Sequence, residues 1–282
     1  MKNIILIGSN GFIGSQLRGK LSDHNFSCFD LPNFDINEIN INLSEFDKFK
    51  NNDVILINAA GIMDAKKSRE NPDIFYNTNG YSLMNIKKIA EYINPRLFIH
   101  LSSETVFGKG DKPFSNYDPR VPIHPYGISK LIAELIIDKE FKEINKIILR
   151  LPIIVGNNQN FDNPISIFCN EVKQHGRITI FNRGLHKRNF MLIDDVISSI
   201  DQIINKSDQT VLFTKENYFN LSGSIYSMIE IADFLKNKYD SKIIDTISDN
   251  QAFSLFSDSS SFDNYFPIKK VTNLENLISQ FI

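Results

Sequence analysis

The sequence predicts an α/β fold, a Rossmann-type doubly wound parallel sheet with a smaller C-terminal α/β substrate lobe. Three observations lead to this prediction. Short aliphatic runs alternate with longer mixed segments through the first half of the chain, which is typical of successive βαβ units. The apolar runs are continuous, as expected for strands that are covered on both faces. A glycine-rich turn follows the first run and opens a helix.

The first half is expected to form five strands and three helices. The strands are predicted over Asn3–Ile7, Phe26–Asp30, Val54–Asn58, Leu97–Ser102 and Lys146–Leu151. The helices are predicted over Phe12–Ser22, Pro72–Ile93 and Ile128–Phe141. Each helix lies between two of these strands, as βαβ units require.

The pattern is looser after Pro152. Helices are predicted over Ile165–Gln174, Asp194–Asn205 and Ser227–Lys238, with an edge strand at Ile178–Phe181. The helix at 194–205 is expected to return to the first sheet. We therefore expect residues 1–156, together with 190–221, to form the dinucleotide-binding domain, and residues 157–189 and 222–282 to form the substrate-binding lobe.

Composition and charge argue against several classes of protein. With 42% hydrophobic and 23% charged residues, the 282-residue chain has an ordinary globular composition, and its net charge of −2 argues against a nucleic-acid binder. The two cysteines cannot build a disulfide framework, and neither they nor the five histidines show metal-ligand spacing. No apolar run approaches the roughly 18 residues of a membrane span. We expect a cytoplasmic protein with no metal, membrane or nucleic-acid partner.

The segment Gly8–Gly14, with the sequence GSNGFIG, has the spacing of a dinucleotide-binding turn. Its glycines allow, in order, a tight turn, approach of the backbone to a pyrophosphate, and close packing of helix on strand. The start of the following helix offers N–H groups and the positive end of the helix dipole to the anion. The predicted cofactor contacts in this turn are Gly8, Asn10, Gly11, Phe12, Ile13 and Gly14.

Asp30 stands at the end of the second predicted strand. A carboxylate there can accept hydrogen bonds from the ribose of adenosine, and it repels a 2′-phosphate. The sequence therefore favours NAD as the cofactor, with NADP as the alternative. A solvated carboxylate at a strand end is the competing interpretation of this residue.

Tyr126 and Lys130 lie four residues apart, so that on a helix their side chains share one face. The ordinary pKa of tyrosine is about 10, and a nearby lysine ammonium, together with the nicotinamide cation of an oxidised cofactor, is expected to lower it. Tyr126 could then exchange a proton with a substrate hydroxyl or carbonyl. Ser103, at the carboxyl end of the fourth predicted strand, is expected to hydrogen-bond the same substrate oxygen.

These motifs resemble the extended branch of the short-chain dehydrogenase/reductase superfamily, the NAD-dependent sugar epimerase/dehydratase group. The resemblance covers most of the first 196 residues and rests on Gly8–Gly14, Asp30, Asn58–Gly61, Asn77–Gly80, Ser102–Gly108, Tyr126–Lys130, Leu149–Gly156 and Arg188–Phe190. It implies an enzyme with a Rossmann domain and a lobe for a nucleotide-diphosphate sugar. It also implies a homodimer formed through the helices predicted at 72–93 and 128–141.

The resemblance further implies roles for individual residues. Ser103, Tyr126 and Lys130 form the catalytic set, and Glu104 joins Ser103 in binding the substrate. The remaining cofactor contacts that it implies, besides Tyr126 and Lys130, are Asp35, Ile36, Ala59, Ala60, Gly61, Asn77 and Ser102. Of these, Asp35 and Ile36 are expected near the adenine.

A basic stretch runs from Val172 to Ile193, where five Lys and Arg residues occur without any Asp or Glu. Such a stretch suits a diphosphate, which arginine grips through a bidentate fork. The resemblance implies that Arg188 binds the diphosphate of the nucleotide-sugar. A solvated basic loop is the alternative.

Three reactions are compatible with these residues: 4-epimerisation, reduction of a 4-keto sugar and 4,6-dehydration. In the dehydratases of the family an Asp and a Glu follow the strand-end hydroxyl, whereas Glu104 and Thr105 occupy these positions here. Dehydration is therefore disfavoured. The short segment between Asp30 and Asn58, and the run Ser-Glu-Thr-Val-Phe, resemble 4-keto-rhamnose reductases. Asp30 and the run around Arg188 resemble epimerases.

We expect a sugar-nucleotide 4-epimerase, with a 4-keto-6-deoxy-sugar nucleotide reductase as the close alternative. A 4,6-dehydratase and a non-catalytic NAD(P)-binding protein are less favoured. The presence of Ser103, Tyr126 and Lys130 argues against the non-catalytic protein. Where many epimerases supply an Asn to the substrate, this chain has Ile153. The identity of the sugar therefore does not follow from the resemblance.

Overall fold

The computed structural model describes residues 1–159, 162–208, 216–247 and 252–282. Its central sheet contains β1 (Asn3–Ile7), β2 (Asn25–Phe29), β3 (Val54–Asn58), β4 (Leu97–Ser103), β5 (Lys146–Leu151) and β9 (Tyr218–Asn220). The strands lie in the order β2-β1-β3-β4-β5-β9, and every pairing is parallel. The direction of the chain across the sheet reverses between β1 and β3. Such a reversal creates the crevice where open parallel sheets bind ligands.

Helices cover both faces of this sheet: α1 (Phe12–Lys20), α4 (Leu83–Ile93), α5 (Pro125–Glu140) and α7 (Ile193–Asn205). Successive side chains of a strand point to opposite faces. Ile4 and Leu6 of β1 therefore join an apolar cluster with α1 and α7. Ile5 and Ile7 join a second cluster with α4 and α5. Burial on both faces explains why the strands are continuous apolar runs.

The C-terminal part adds two smaller sheets. Their strands are β6 (Ile153–Val155), β7 (Arg177–Phe181), β8 (Lys187–Leu192), β10 (Ser224–Ser227) and β11 (Lys242–Thr246). One sheet has the order β10-β8-β6, and β7 pairs with β11 in the other. These sheets form a third apolar cluster with α6 (Pro164–His175), α8 (Met228–Tyr239) and α10 (Leu274–Ile278). Helix α9 (Ser260–Tyr265) instead packs against β9 of the central sheet.

The predicted fold class is confirmed, and the five predicted strands of the first half form within one residue of their expected ends. Strand β2 ends at Phe29, so Asp30 follows the strand instead of ending it. The helix predicted at 128 begins at Pro125, where His124 caps it. The predicted domain boundaries stay a prediction.

The long helix predicted over 72–93 is divided. After α2 (Ala65–Glu70), the chain forms α3 (Pro72–Phe75), a π-helical turn (Tyr76–Tyr81) and then α4. The π-helical turn packs closely against α5. A Cβ added at Gly80 would lie only 2.8 Å from the Ile132 side chain. The region is helical, as predicted, but it is not one regular α-helix because a π-helical turn interrupts it.

Aromatic packing organises the short segment between β2 and β3. This segment contains a 3-10 helix (Leu43–Phe49) and no longer helix. The rings of Phe29 and Phe46 stack with their centroids 4.5 Å apart, and Phe34 meets both of them edge-on. Because aromatic rings bury large apolar areas, this small cluster can close the edge of the sheet. It also fixes the end of β2, where Asp30 follows.

Candidate active site

The turn between β1 and α1 carries the first predicted cofactor contacts. Gly11 is the N-cap of α1, and among the described residues no side chain caps this helix end. A Cβ at Gly14 would lie 2.0 Å from the Gly8 carbonyl oxygen, whereas a Cβ at Gly11 would meet nothing nearer than 3.4 Å. The turn is thus closely packed on its inner side and open on its outer side. This shape fits a diphosphate on the helix N-terminus. Phe12 and Ile13 are half-buried against the apolar cluster beneath.

Asp30 lies beside this turn. Its carboxylate accepts hydrogen bonds from the backbone N–H groups of Asn10 at 2.6 Å and Leu31 at 2.7 Å. The Asn10 side chain donates to the Leu31 carbonyl oxygen at 3.0 Å, so the two loops are held together. A carboxylate oxygen can accept more than one hydrogen bond, so Asp30 can also bind a ribose hydroxyl. The predicted ribose contact stays a prediction.

Three further predicted contacts follow β3 beside the glycine turn, where a Cβ at Gly8 would lie 2.3 Å from the Ala60 backbone nitrogen. The backbone of Ala59 continues β3, since its N–H donates to the Ile7 carbonyl oxygen at 2.9 Å, and Ala60 follows it. A Cβ at Gly61 would lie 3.3 Å from the Lys130 ammonium nitrogen. This stretch of backbone therefore faces the predicted catalytic lysine. Asn77 is exposed on the π-helical turn.

Three other predicted contacts, Ile36, Asp35 and Ser102, are in contact with the protein itself, and of their side chains only the Asp35 carboxylate can still accept from a ligand. Ile36 is buried in the apolar cluster with α4 and α5, and the Asp35 carboxylate accepts from the backbone N–H of Asn37 at 2.8 Å. The Ser102 hydroxyl donates to the carboxylate of Glu134 at 2.6 Å. These contacts turn the side chains of Ile36 and Ser102 into the protein interior. Only their backbone groups are left for a cofactor.

Ser103, Tyr126 and Lys130 come together where β4 ends and α5 begins. The Lys130 ammonium donates to the Leu101 carbonyl oxygen at 3.0 Å. The Ser103 oxygen accepts from the backbone N–H of Thr105 at 3.3 Å and from its hydroxyl at 3.0 Å. With these bonds accepted, Ser103 still has its own O–H to donate. Thr105, which occupies the position of the dehydratase carboxylate, therefore orients the serine.

Burial controls the ionisation of the Tyr126 and Lys130 side chains. It raises the pKa of Tyr126 to about 12, and a hydrogen bond with Ser103 opposes this rise. It lowers the pKa of Lys130 to about 8, and the negative charge of Glu134 opposes this fall. In the ligand-free protein the pKa of Tyr126 is raised because loss of hydration disfavours the phenolate, and the lowering expected with oxidised cofactor bound stays a prediction. Tyr126 is a neutral phenol in this state.

A buried ionic network behind these residues was not predicted from the sequence. Both carboxylate oxygens of Glu134 accept from Arg150, each at 2.9 Å, and one of them also accepts from Arg120 at 2.9 Å. Glu134 is completely buried, and Arg150 is only 2% exposed and lies against the rings of Phe107 and Tyr218. An arginine inside an apolar strand, and a glutamate four residues after the lysine, were the available signals.

Glu104 is buried after the end of β4, where the chain meets β8 and the segment around Ser257. Its carboxyl group accepts from the Ser257 hydroxyl at 3.0 Å and from the Asn189 side-chain amide at 3.3 Å. Loss of hydration raises the pKa of Glu104 to about 8, although these bonds and the charge of Arg188 oppose the rise. Glu104 is therefore protonated near neutrality, and it joins three separate parts of the chain. The predicted contact with substrate stays a prediction.

Arg188 differs from the rest of the predicted basic stretch. It is half-buried, whereas the other four basic residues are exposed: Lys173, Arg177, Arg183 and Lys187. Its guanidinium lies 4.3 Å from the centroid of the Phe253 ring and donates to the Phe253 carbonyl oxygen. Burial lowers the pKa of Arg188 to about 10, and Glu104 opposes this fall. Arg188 is thus a fixed cation with further N–H groups to donate.

Two histidines near the site have structural roles. The His124 Nδ1 accepts from the backbone N–H of Gly127 at 3.1 Å, which caps α5, and its ring centroid lies 6.1 Å from that of Tyr126. The buried His100 Nδ1 lies 3.2 Å from the Asn58 side-chain nitrogen, while its Nε2 has no partner among the described residues. Burial, with a contribution from Lys130, holds the pKa of His100 well below its ordinary value.

Neither a metal centre nor a membrane-spanning helix is present in the four described ranges. Within them, no group of three or more His, Cys, Asp and Glu side chains is arranged to hold a metal ion. Cys28 and Cys169 are both free thiols. No helix in these ranges is long and apolar enough to cross a bilayer.

Comparison with known proteins establishes the family. The model of the NAD dependent epimerase/dehydratase family matches residues 4–217, which is more than half of the chain. The chain therefore belongs to this family of NAD-dependent nucleotide-sugar enzymes. The predicted resemblance, the enzyme class and NAD as the family's cofactor are confirmed.

Similar proteins carry out more than one reaction. A putative UDP-glucose 4-epimerase of Methanocaldococcus jannaschii is 28% identical over 258 residues, covering 83% of this chain and 82% of the relative. A dTDP-4-dehydro-6-deoxyglucose reductase of Escherichia coli is 26% identical over 271 residues, covering 84% and 83%. The UDP-glucuronic acid 4-epimerase of Bacillus cereus, solved with UDP-glucuronic acid and NAD, has a TM-score of 0.81 and 21% identity, covering 99% and 97%. At that identity, the structural likeness establishes the fold.

Proposed function

We propose that the protein is an NAD-dependent nucleotide-sugar 4-epimerase in which Tyr126 is the acid/base and Lys130 and Ser103 assist it. The observation that carries the proposal is the meeting of these three side chains at the end of β4, next to the crevice at the β1–β3 reversal. Bound NAD supplies a hydride acceptor and donor for the sugar carbon. The protein's own task is to bind the sugar nucleotide and to move one proton at the sugar oxygen.

Tyr126 and Ser103 act on the same oxygen in this proposal. Ser103 accepts two hydrogen bonds from Thr105, so its own proton, which faces the Tyr126 oxygen in the ligand-free protein, can be donated to a sugar hydroxyl or carbonyl oxygen. Tyr126 takes the hydroxyl proton as the alcohol becomes a ketone, and returns it when the ketone is reduced. The positive charge of Lys130 stabilises the phenolate that forms between these steps. A bound ligand that adds positive charge near the phenol stabilises this phenolate further.

Arg188 anchors the nucleotide diphosphate in this proposal. Its guanidinium is fixed against the Phe253 ring, so little side-chain freedom is lost on binding. Epimerisation requires the keto intermediate to present its other face before it is reduced. Anchoring at the diphosphate leaves the sugar ring free to turn, and Ile153 makes no polar bond to it at the position where many epimerases have Asn.

A 4-keto-6-deoxy-sugar nucleotide reductase is the second candidate. It is favoured by the short aromatic segment between β2 and β3 and by the order hydroxyl, acid, Thr, Val, Phe at the end of β4. The similarity to the E. coli reductase also supports it. A 4,6-dehydratase is disfavoured because Thr105 cannot act as a carboxylate base and instead donates to Ser103. The complete catalytic set argues against a non-catalytic protein.

The cofactor preference and assembly follow the same proposal. Asp30 beside the glycine turn favours NAD over NADP, because its negative charge repels a 2′-phosphate. A homodimer through α4 and α5 is proposed from the family resemblance. Exposed apolar side chains on these helices, Met84 and Leu135, are compatible with it. We also propose that the protein works in the cytoplasm.

Cofactor retention separates the two leading candidates. An epimerase regenerates its NAD within each turnover, whereas a reductase must exchange cofactor every cycle. Protein purified without added cofactor and then denatured should release nearly stoichiometric NAD, detected enzymatically. A purified protein free of nicotinamide, which oxidises added NADH when given a 4-keto sugar nucleotide, would favour the reductase.

A further inference from the structure

Helix α5 meets the end of β4 through side chains one helical turn apart. The contacts are Tyr126 with the Ser103 hydroxyl, Lys130 with the Leu101 carbonyl oxygen, and Glu134 with the Ser102 hydroxyl. Residues at positions i, i+4 and i+8 share one helix face, which explains why all three reach the same strand. Tyr126, Lys130 and Glu134 therefore form one row of side chains along α5. Glu134, the third of them, has no role in the chemistry proposed above.

Glu134 is held rigidly from the other side. Arg150 on β5 donates to both of its oxygens at 2.9 Å, Arg120 donates at 2.9 Å, and Ser102 donates at 2.6 Å. A buried carboxylate keeps its charge only when it is paired and hydrogen-bonded in this way. Glu134 is thus a buried carboxylate one turn behind Lys130, held between the guanidinium groups of Arg150 and Arg120.

The charges that face Lys130 and Glu134 come from several elements. His100 on β4 is buried and neutral, so it contributes no positive charge beside Lys130. Asp138, one turn beyond Glu134 on α5, is bonded to Arg120 and to the hydroxyl of Tyr218 on β9. Among the described residues, Glu134 supplies the negative charge that supports the Lys130 ammonium against burial.

We propose that Glu134 is a positioning residue, which keeps Lys130 in its charged form and fixes the strand end that carries Ser103. The expected effect of Glu134 on catalysis rests on the proposed function. The expected effect of Glu134 on the charge of Lys130 does not, since it involves only residues of this chain. The alternative role for Glu134 is purely structural, as one half of a buried ion pair with Arg150.

Glu134→Gln tests the inference, because it keeps the shape and removes the charge. The titration of Lys130 is followed by NMR on the full chain labelled with ¹³C-lysine, with the Lys130 signal assigned by its loss in Lys130→Met. We expect the Lys130 midpoint to fall by about one pH unit, as for the loss of an opposite charge within ~4–6 Å. In substrate turnover, the alkaline limb of the kcat profile should move to lower pH by the same amount.

Asp138→Asn is the matched control. It also replaces a carboxylate by an amide on α5 and disturbs the same Arg120, but Asp138 is one turn further from Lys130. Its Lys130 midpoint should equal that of the wild type. A fall as large as in Glu134→Gln would overturn the inference, because it would show that any loss of charge on α5 has this effect.

The double variant Glu134→Gln/Arg150→Gln keeps the test decisive if Glu134→Gln folds poorly. It leaves no buried arginine without its carboxylate, so thermal stability should recover relative to the single variant. Because the double variant also removes the positive charge of Arg150, its Lys130 midpoint is compared with that of Arg150→Gln, from which it differs only in the charge of Glu134. The midpoint should be lower in the double variant, and equal midpoints in the two variants would overturn the inference.

The outcomes separate this inference from the proposed function. The Lys130 titration is measured without sugar or cofactor, so it decides the electrostatic role even if wild-type protein turns over no nucleotide-sugar. Wild-type activity combined with an unchanged Lys130 midpoint in Glu134→Gln would contradict the inference and leave the proposed function intact.

Discussion

The Lys130 ammonium is hydrogen-bonded to the Leu101 carbonyl oxygen at 3.0 Å, and this contact joins the first half of α5 to the end of β4. One turn earlier, the Tyr126 phenol consequently lies beside Ser103. Burial raises the pKa of Tyr126 to about 12, so the ligand-free protein holds a proton donor at this position. Positive charge near the phenol, from Lys130 and from bound ligands, favours the phenolate that a base requires.

Tyr126→Phe removes the phenol and keeps the ring. We expect turnover of a nucleotide-sugar to fall by about 10²- to 10⁴-fold, the usual contribution of a general acid/base. NAD binding, followed by calorimetry, should change little because the ring and the glycine turn remain. A variant that retains more than a tenth of the wild-type kcat would contradict the assignment of Tyr126.

Arg188→Ala removes the half-buried cation of the second lobe. A hydrogen bond to a charged group contributes about 1.5–3 kcal/mol, so we expect KM for a nucleotide-sugar to rise about 10- to 100-fold. The control is Arg183→Ala, which removes an exposed arginine from the same basic stretch. Steady-state kinetics on both variants checks the prediction. Equal effects of the two substitutions would contradict a specific role for Arg188.

Asp30→Asn keeps the shape of the side chain and removes its negative charge. The amide oxygen can still accept from the Asn10 backbone, which retains the bond to the glycine turn, while the acceptor for the Leu31 N–H is lost. We expect the preference for NADH over NADPH, measured as a ratio of Kd values, to fall on the order of tenfold, as for removal of one nearby like charge. An unchanged ratio would show that Asp30 does not face the ribose.

Glu104→Gln should change how stability depends on pH. The pKa of Glu104 is raised from 4.5 to about 8 in the folded protein, so the folded state binds the proton more tightly than the unfolded state. The resulting stabilisation is complete below pH 4.5, declines as pH rises, and is lost above about pH 8. Glutamine stays neutral, so the variant should not show this decline.

Thermal unfolding of both proteins between pH 5 and 9 checks this prediction. The difference in Tm, variant minus wild type, should become steadily more positive with rising pH. Glu45→Gln, at an exposed position, serves as the control and should show no such trend. Parallel Tm curves for Glu104→Gln and wild type would mean that Glu104 is not a buried, protonated acid.

The sequence was sufficient to predict the fold and to single out Ser103, Tyr126 and Lys130, which lie together at the end of β4, as catalytic candidates. Continuous apolar runs mark strands buried on both faces, and the Tyr126–Lys130 spacing follows directly from helix geometry. The sequence was not sufficient to predict which side chains surround these residues. The raised pKa of Tyr126 and the partners of Glu134 depend on which distant residues fold against them, such as Arg150 on another strand. The second lobe was incompletely predicted because its short strands carry weak periodicity.

In the proposed epimerisation, bound NAD would accept a hydride from the sugar carbon, and the NADH formed would return it to the same carbon. The most direct test is ¹H NMR of UDP-glucose, UDP-glucuronic acid and dTDP-glucose, each incubated with wild-type protein and no added reductant. We predict that at least one of them is converted to its C4 epimer, with no net change in absorbance at 340 nm. Conversion of a 4-keto sugar nucleotide with one NADH consumed per turnover, and no epimer from any of the three sugars, would contradict the account.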